Sequence, residues 1–156
     1  MVAPTLSNVS PDLIWEVVRN NNCFLSKSNR NGGVQFSHDP MNLTNMNSRK
    51  HAGFVNSKAI GVVANEKGGV TVISKKEVNY NKPAKSLTKS TLGGNKSSRK
   101  SYKVVANMAA KSGYRGDLRS AAVERVSAIR RTQRPTKPEP EPKLRGNKAK
   151  KAAELS

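Results

Sequence analysis

The sequence predicts an α+β protein. A short N-terminal helix lies on a small four-stranded antiparallel sheet, followed by a basic linker, two basic amphipathic helices and an extended C-terminal tail. Three observations predict this. Ser10-Pro11-Asp12 opens a helix, strand-like alternation with turn residues recurs between Cys23 and Ile73, and apolar residues return at helical spacing between Arg99 and Arg134.

The expected organisation is a small α+β domain over 1–76, a basic extended linker over 77–98, a basic helical pair over 99–134 and a Pro/Glu/Lys-rich tail over 135–156. Ser10 supplies a hydroxyl cap, Pro11 a preset first helical residue, and Asp12 an acid near the positive end of the dipole. Leu13, Ile14, Val17 and Val18 follow at helical spacing, and Asn20-Asn21-Asn22 ends the run. A helix this short is marginal alone, so it must dock. Cys23-Phe24-Leu25 and Val34-Gln35-Phe36-Ser37 read as a hairpin around Asn31-Gly32-Gly33. A second hairpin joins 59–64 to 70–73 through Glu66-Lys67-Gly68-Gly69.

In the helical pair, broken at Ser112 to Gly116, the wheel puts Leu118, Ala121, Ala122, Val126 and Ile129 on one face, and Arg119, Arg130 and Arg134 on another. Pro135 ends the second helix, and the Pro-Glu repeat after it reads as an extended spacer. Trp15, Phe24, Phe36, Val62, Val72, Leu118 and Ile129 are the expected core. Cys23, beside Phe24 and Leu25, reads as a small buried apolar residue.

Composition narrows the function. The formal net charge is +19, far beyond what solubility needs, which implies a polyanionic partner. Residues 1–84 hold 10 Lys/Arg against 5 Asp/Glu, whereas residues 85–156 hold 19 against 5, so the second half is the contact half. Seven aromatic residues leave a thin core, and much of the second half is expected to order against a partner. One cysteine excludes an internal disulfide and a multi-cysteine metal site. No run reaches membrane-span length and no signal-peptide pattern opens the chain.

Chemistry-bearing motifs are absent. Lys67-Gly68-Gly69-Val70-Thr71 lacks the Gly-Lys-Ser/Thr of a phosphate loop and reads as a hairpin turn. Asp117 in Arg115-Gly116-Asp117 reads as a helix cap. His38 and His51 have no partners at ligand spacing, and no nucleophile–base set or paired acids occur. Neither catalysis, cofactor, metal nor small-molecule substrate is expected.

The basic residues therefore carry function. Lys82, Lys85, Lys89 and Lys96 recur along the linker at a spacing suited to tracking phosphates. Arg99, Lys100, Lys103, Lys111, Arg115, Arg119, Arg130 and Arg134 are expected to contact RNA from the helices, with Arg49, Lys50 and Lys58 as weaker contacts from the loop. Few aromatics interleave, so shape and backbone recognition of folded RNA fits better than base stacking.

Residues 12–25 (Asp-Leu-Ile-Trp-Glu-Val-Val-Arg-Asn-Asn-Asn-Cys-Phe-Leu) resemble the opening of the eukaryotic large-subunit ribosomal protein L28e family. The resemblance continues through Phe36-Ser37-x-Asp39-Pro40-x-Asn42-Leu43, Asn47-Ser48, His51 to Gly61, and Tyr114-Arg115-x-Asp117-Leu118-Arg119, covering roughly 12–134. It implies a structural constituent of the cytosolic large subunit that contacts ribosomal RNA and neighbouring large-subunit proteins. It implies passage through the nucleolus during assembly, no membrane association and no homo-oligomer. The alternative is a nucleolar assembly factor that is not retained in mature ribosomes; a similar domain opens such a factor, whose long acidic region and cysteines this chain lacks. Arg49 and Lys50 stand where the family often has an aromatic and a base, Gly116 replaces a usual proline, and Ser26 and Ser28 are milder than its usual choices.

Overall fold

In the computed structural model, the structure describes residues 9–30, 32–76, 82, 85–140 and 145–155. Helix α1 spans Pro11–Val18, and the Ser10 hydroxyl accepts from the Leu13 N–H at 3.2 Å, as the Ser-Pro-Asp start requires. Its inner residues Ile14, Trp15 and Val18 pack on Ala52, Phe54 and Val55, while the Phe24 and Phe54 rings sit 5.4 Å apart beneath them. Leu13 and Val17 face outward.

Strands β1 (Leu25–Lys27) and β2 (Gln35–Ser37) pair antiparallel as a two-stranded ribbon. Strands β3 (Ile60–Ala64), β4 (Gly69–Lys75) and β5 (Leu87–Gly93) form a separate antiparallel sheet in that order. The four-stranded sheet is therefore corrected to two sheets. Beyond β2 lies only an isolated bridge from Phe36 to Met46, and residues 38–58 fold as a loop instead of bringing β3 alongside.

That loop is held by its own polar groups. The buried Asp39 carboxylate accepts from the Met41 N–H at 2.9 Å and the Phe54 N–H at 3.0 Å. Gly61 lets β3 run against Pro40 and Met41, where any side chain would collide with backbone. Gly69, with φ +88°, starts β4 where a Cβ would strike the Leu92 carbonyl.

The linker expected over 77–98 contains β5, which pairs with β4 from Lys75↔Leu87 to Gly69↔Gly93. Its sequence Leu-Thr-Lys-Ser-Thr-Leu-Gly supplies one deeply buried side chain, Leu92, and polar residues suited to a sheet edge. Sequence expectations for 1–8, 31, 77–81, 83–84, 141–144 and 156 lie outside the described residues.

Helices α2 (Ser98–Ala110) and α3 (Arg119–Thr132) cover one face of the three-stranded sheet. Val105, Ala109, Leu118, Ala122 and Val126 interlock with Ile60, Val62, Val70, Val72 and Leu92. Ala121 and Ile129 pack at the margin, as the helical periodicity predicts. On the other face, Ile73 and Leu87 share a cavity of about 150 Å³ with Phe24, Pro40, Met41 and Phe54. The chain reverses between the helices through Ser112 and Gly113, both at positive φ.

Three local expectations need correction. Cys23 is exposed, because β1 begins at Leu25 and Phe24 takes the inward position. Phe36 remains 45% exposed on the narrow ribbon. The end of the tail is not extended: Asn147–Glu154 forms helix α4, in keeping with its alanines and lysines.

Candidate nucleic-acid interface

The buried stripe of α2 (Ser101, Val105, Ala109) fixes what its other side offers. Ser97, Lys100, Val104 and Asn107 lie at helical spacing on the outer side, with Lys103 beside them. With Lys96 they line an open groove of about 650 Å³. Ser97 caps the helix by accepting from the Lys100 N–H at 3.4 Å. The lysine heads are exposed, and Val104 forms an apolar patch between their stems.

Arg99, Lys111, Arg119 and Arg134 are likewise exposed. Among the described residues, none of Arg99, Lys100, Lys103, Arg119 and Arg134 meets a carboxylate. Lys89 extends the exposed cations along β5, and Lys82 and Lys85 are exposed before it. Lys50 is exposed on the loop and Lys58 is half-buried beside it. The wheel reading leaves out Arg131, which is also exposed in the last turn of α3.

Three arginines of the sequence-derived contact set are bonded within the protein. Arg130 sends both terminal nitrogens to the Gly94 carbonyl at 3.1 Å and one to the Lys96 carbonyl at 2.9 Å, tying α3 to the β5–α2 turn. Arg115 donates to the carbonyls of Lys58 and Lys50 at 2.8 and 3.0 Å, and pairs with Asp117 at 2.8 Å. Asp117 is thus not a helix cap, and the guanidinium hydrogen bond holds its carboxyl below the ordinary aspartate range. Arg49 bridges Asp12 and Asn56, fastening the loop to the start of α1.

Sequence reading also misses two anchors, one part-buried and one buried. Tyr114 accepts from the Ala59 N–H at 3.2 Å and donates to the Lys75 carbonyl at 2.8 Å, pinning the interhelix turn to the sheet. Lys75 is itself buried and donates to the carbonyls of Asn56 and Phe54 at 2.8 and 3.4 Å. Burial lowers its pKa to about 8, against the pull of Asp39. A lysine at the end of a strand looks solvated in sequence, and nothing in its spacing marks it as a core residue. Burial, reinforced by Lys50 and Arg115, lowers the pKa of nearby His51.

Among the described residues no group of His, Cys, Asp or Glu could hold a metal ion, and no helix is long and apolar enough to cross a membrane. Fold and surface together define a small α+β protein whose internally bonded frame presents unpaired cations on its helices. The Ribosomal L28e protein family model matches residues 13–132, and the chain belongs to that family. It is 46% identical to the large ribosomal subunit protein eL28 of Schizosaccharomyces pombe over 83% of this chain and 97% of the relative. Identity to the eL28 proteins of Caenorhabditis elegans and Dictyostelium discoideum is 38% and 34%, over 80% and 92% of this chain and 91% and 99% of those relatives.

Proposed function

We propose that this chain is a structural constituent of the cytosolic large ribosomal subunit and binds folded ribosomal RNA mainly through phosphates. The observation that carries the RNA contact is the run of exposed, unpaired cations on α2 and α3 beside arginines already bonded within the protein. Family membership supports the ribosomal setting.

The contacts proposed are Lys82, Lys85, Lys89, Lys96, Arg99, Lys100, Lys103, Lys111, Arg119 and Arg134, with Lys50 and Lys58 from the loop. Arg49, Arg115 and Arg130 hold the frame and meet RNA only with whatever donors remain. The protein works by offsetting phosphate charge and fixing RNA shape, with no catalytic step, beside neighbouring large-subunit proteins. It passes through the nucleolus during assembly.

Binding of the full chain to a folded large-subunit RNA fragment, titrated at several salt concentrations, tests the RNA contact. Each neutralised phosphate contributes about 0.7–0.9 to the slope of log affinity against log salt. The expected slope is several units. Absence of binding, or affinity indifferent to salt, would overturn it.

A further inference from the structure

We propose that the groove along α2 is the principal seat for an RNA strand, and that filling it stabilises α2; this rests on the RNA-binding reading above. Helix α2 has no acidic residue, yet Arg99 and Lys100 occupy its first turn and Lys103 follows, while its other end has one cation, the C-cap Lys111. The positive end of the helix dipole therefore carries more positive charge than the negative end, an arrangement that disfavours the free helix. Lys100 and Lys103 are three residues apart on the helix, and Lys96 lines the same groove just before the cap, so like charges crowd one side.

The N-terminal cap sharpens the point. Ser97 caps through the N–H of Lys100, which puts Lys100 at the position where a glutamate or glutamine would complete a capping box. The sequence instead has a lysine, whose ammonium cannot accept the return bond and whose side chain lines the groove. An anionic strand reverses the balance, because phosphates favour both the helix end and the lysines. The groove suits such a strand. Its volume of about 650 Å³ falls among ligand-sized clefts of roughly 300–1,000 Å³. Val104 gives the apolar floor against which a ribose can rest.

The test compares the full wild-type chain with Lys100→Glu, Lys100→Gln and Arg119→Glu. Each is read by thermal unfolding and by salt-titrated binding to a double-stranded RNA hairpin. The Lys100→Glu variant completes the capping box, so it should melt about 2–5 °C higher. It should bind the hairpin at least about tenfold more weakly, with a salt slope lower by about one unit or more. The Lys100→Gln variant should fall between, and saturating RNA should raise the wild-type melting temperature more than that of either Lys100 variant. A Lys100→Glu chain that binds like wild type, or melts lower, overturns the inference. Loss of binding in Arg119→Glu alone overturns it too, while the proposal that the protein binds RNA still stands. Polyglutamate competing as well as RNA would overturn the assignment to a nucleic-acid strand. A wild-type chain that ignores the hairpin instead sinks the RNA reading itself.

Discussion

Gln133 and Gly69 exchange two hydrogen bonds: the Gly69 N–H donates to Gln133 Oε1 at 2.9 Å, and Gln133 Nε2 donates to the Gly69 carbonyl at 2.7 Å. The side-chain amide thus behaves like one more backbone unit at the first residue of β4. It fastens the end of α3 to the β3–β4 turn and holds the helix pair in register with the sheet. Gln133→Ala should cost about 1–2 kcal/mol, because both backbone groups lose a part-buried partner. Urea unfolding checks this: the midpoint should fall with the slope unchanged.

Tyr114 performs the matching task at the interhelix turn. Its hydroxyl joins Ala59 on β3's approach to Lys75 at the end of β4. Tyr114→Phe keeps the ring and deletes the oxygen, so a loss of about 1–2 kcal/mol is expected in the same assay. A neutral result would mean that the hydroxyl adds nothing to the docking of the turn.

Lys75 gives the fold a pH dependence of known sign. The unfolded chain keeps this proton up to about 10.5, whereas burial makes the folded chain release it near 8. Between those values the unfolded state binds more protons, so this group raises stability as pH climbs. Relative to Lys75→Met, the wild type should gain stability from about pH 8 to about pH 10.5, by on the order of 1–3 kcal/mol. Paired denaturation curves across that range measure the difference, and parallel curves would contradict the buried titration.

Arg130 in α3 and Arg134 just past its C-terminal end should behave differently although sequence spacing treats them alike. Arg130→Ala removes the donors on Gly94 and Lys96, so it should lower stability by about 1–3 kcal/mol and change the RNA salt slope little. Arg134→Ala should leave stability within about 0.5 kcal/mol and lower the slope by about one unit. Measuring both quantities on both variants separates a frame residue from a contact residue.

Much of this architecture is legible before any coordinates. Ser10-Pro11-Asp12 sets the start of α1, Val62 and Val72 mark the middle of a hairpin, and Leu118, Ala122 and Val126 spell the inner face of α3. These rest on local rules of capping and periodicity. β5 escapes because an edge strand with one deeply buried residue shows no alternation, and its Lys, Ser and Thr read as a linker. The roles of Arg115, Arg130 and Lys75 escape for another reason. Their partners are backbone carbonyls 57, 36 and 19 residues away, a relation no spacing rule encodes. Charge composition identifies the cationic half, but only tertiary contacts distinguish the cations that hold the frame from those left for RNA.

Sedimentation of the tagged full-length chain through high-salt gradients tests the central claim most directly. The chain should travel with large subunits and translating polysomes and stay with them after the salt wash. Recovery only with precursor particles, or at the top of the gradient, would contradict a ribosomal constituent anchored on folded RNA.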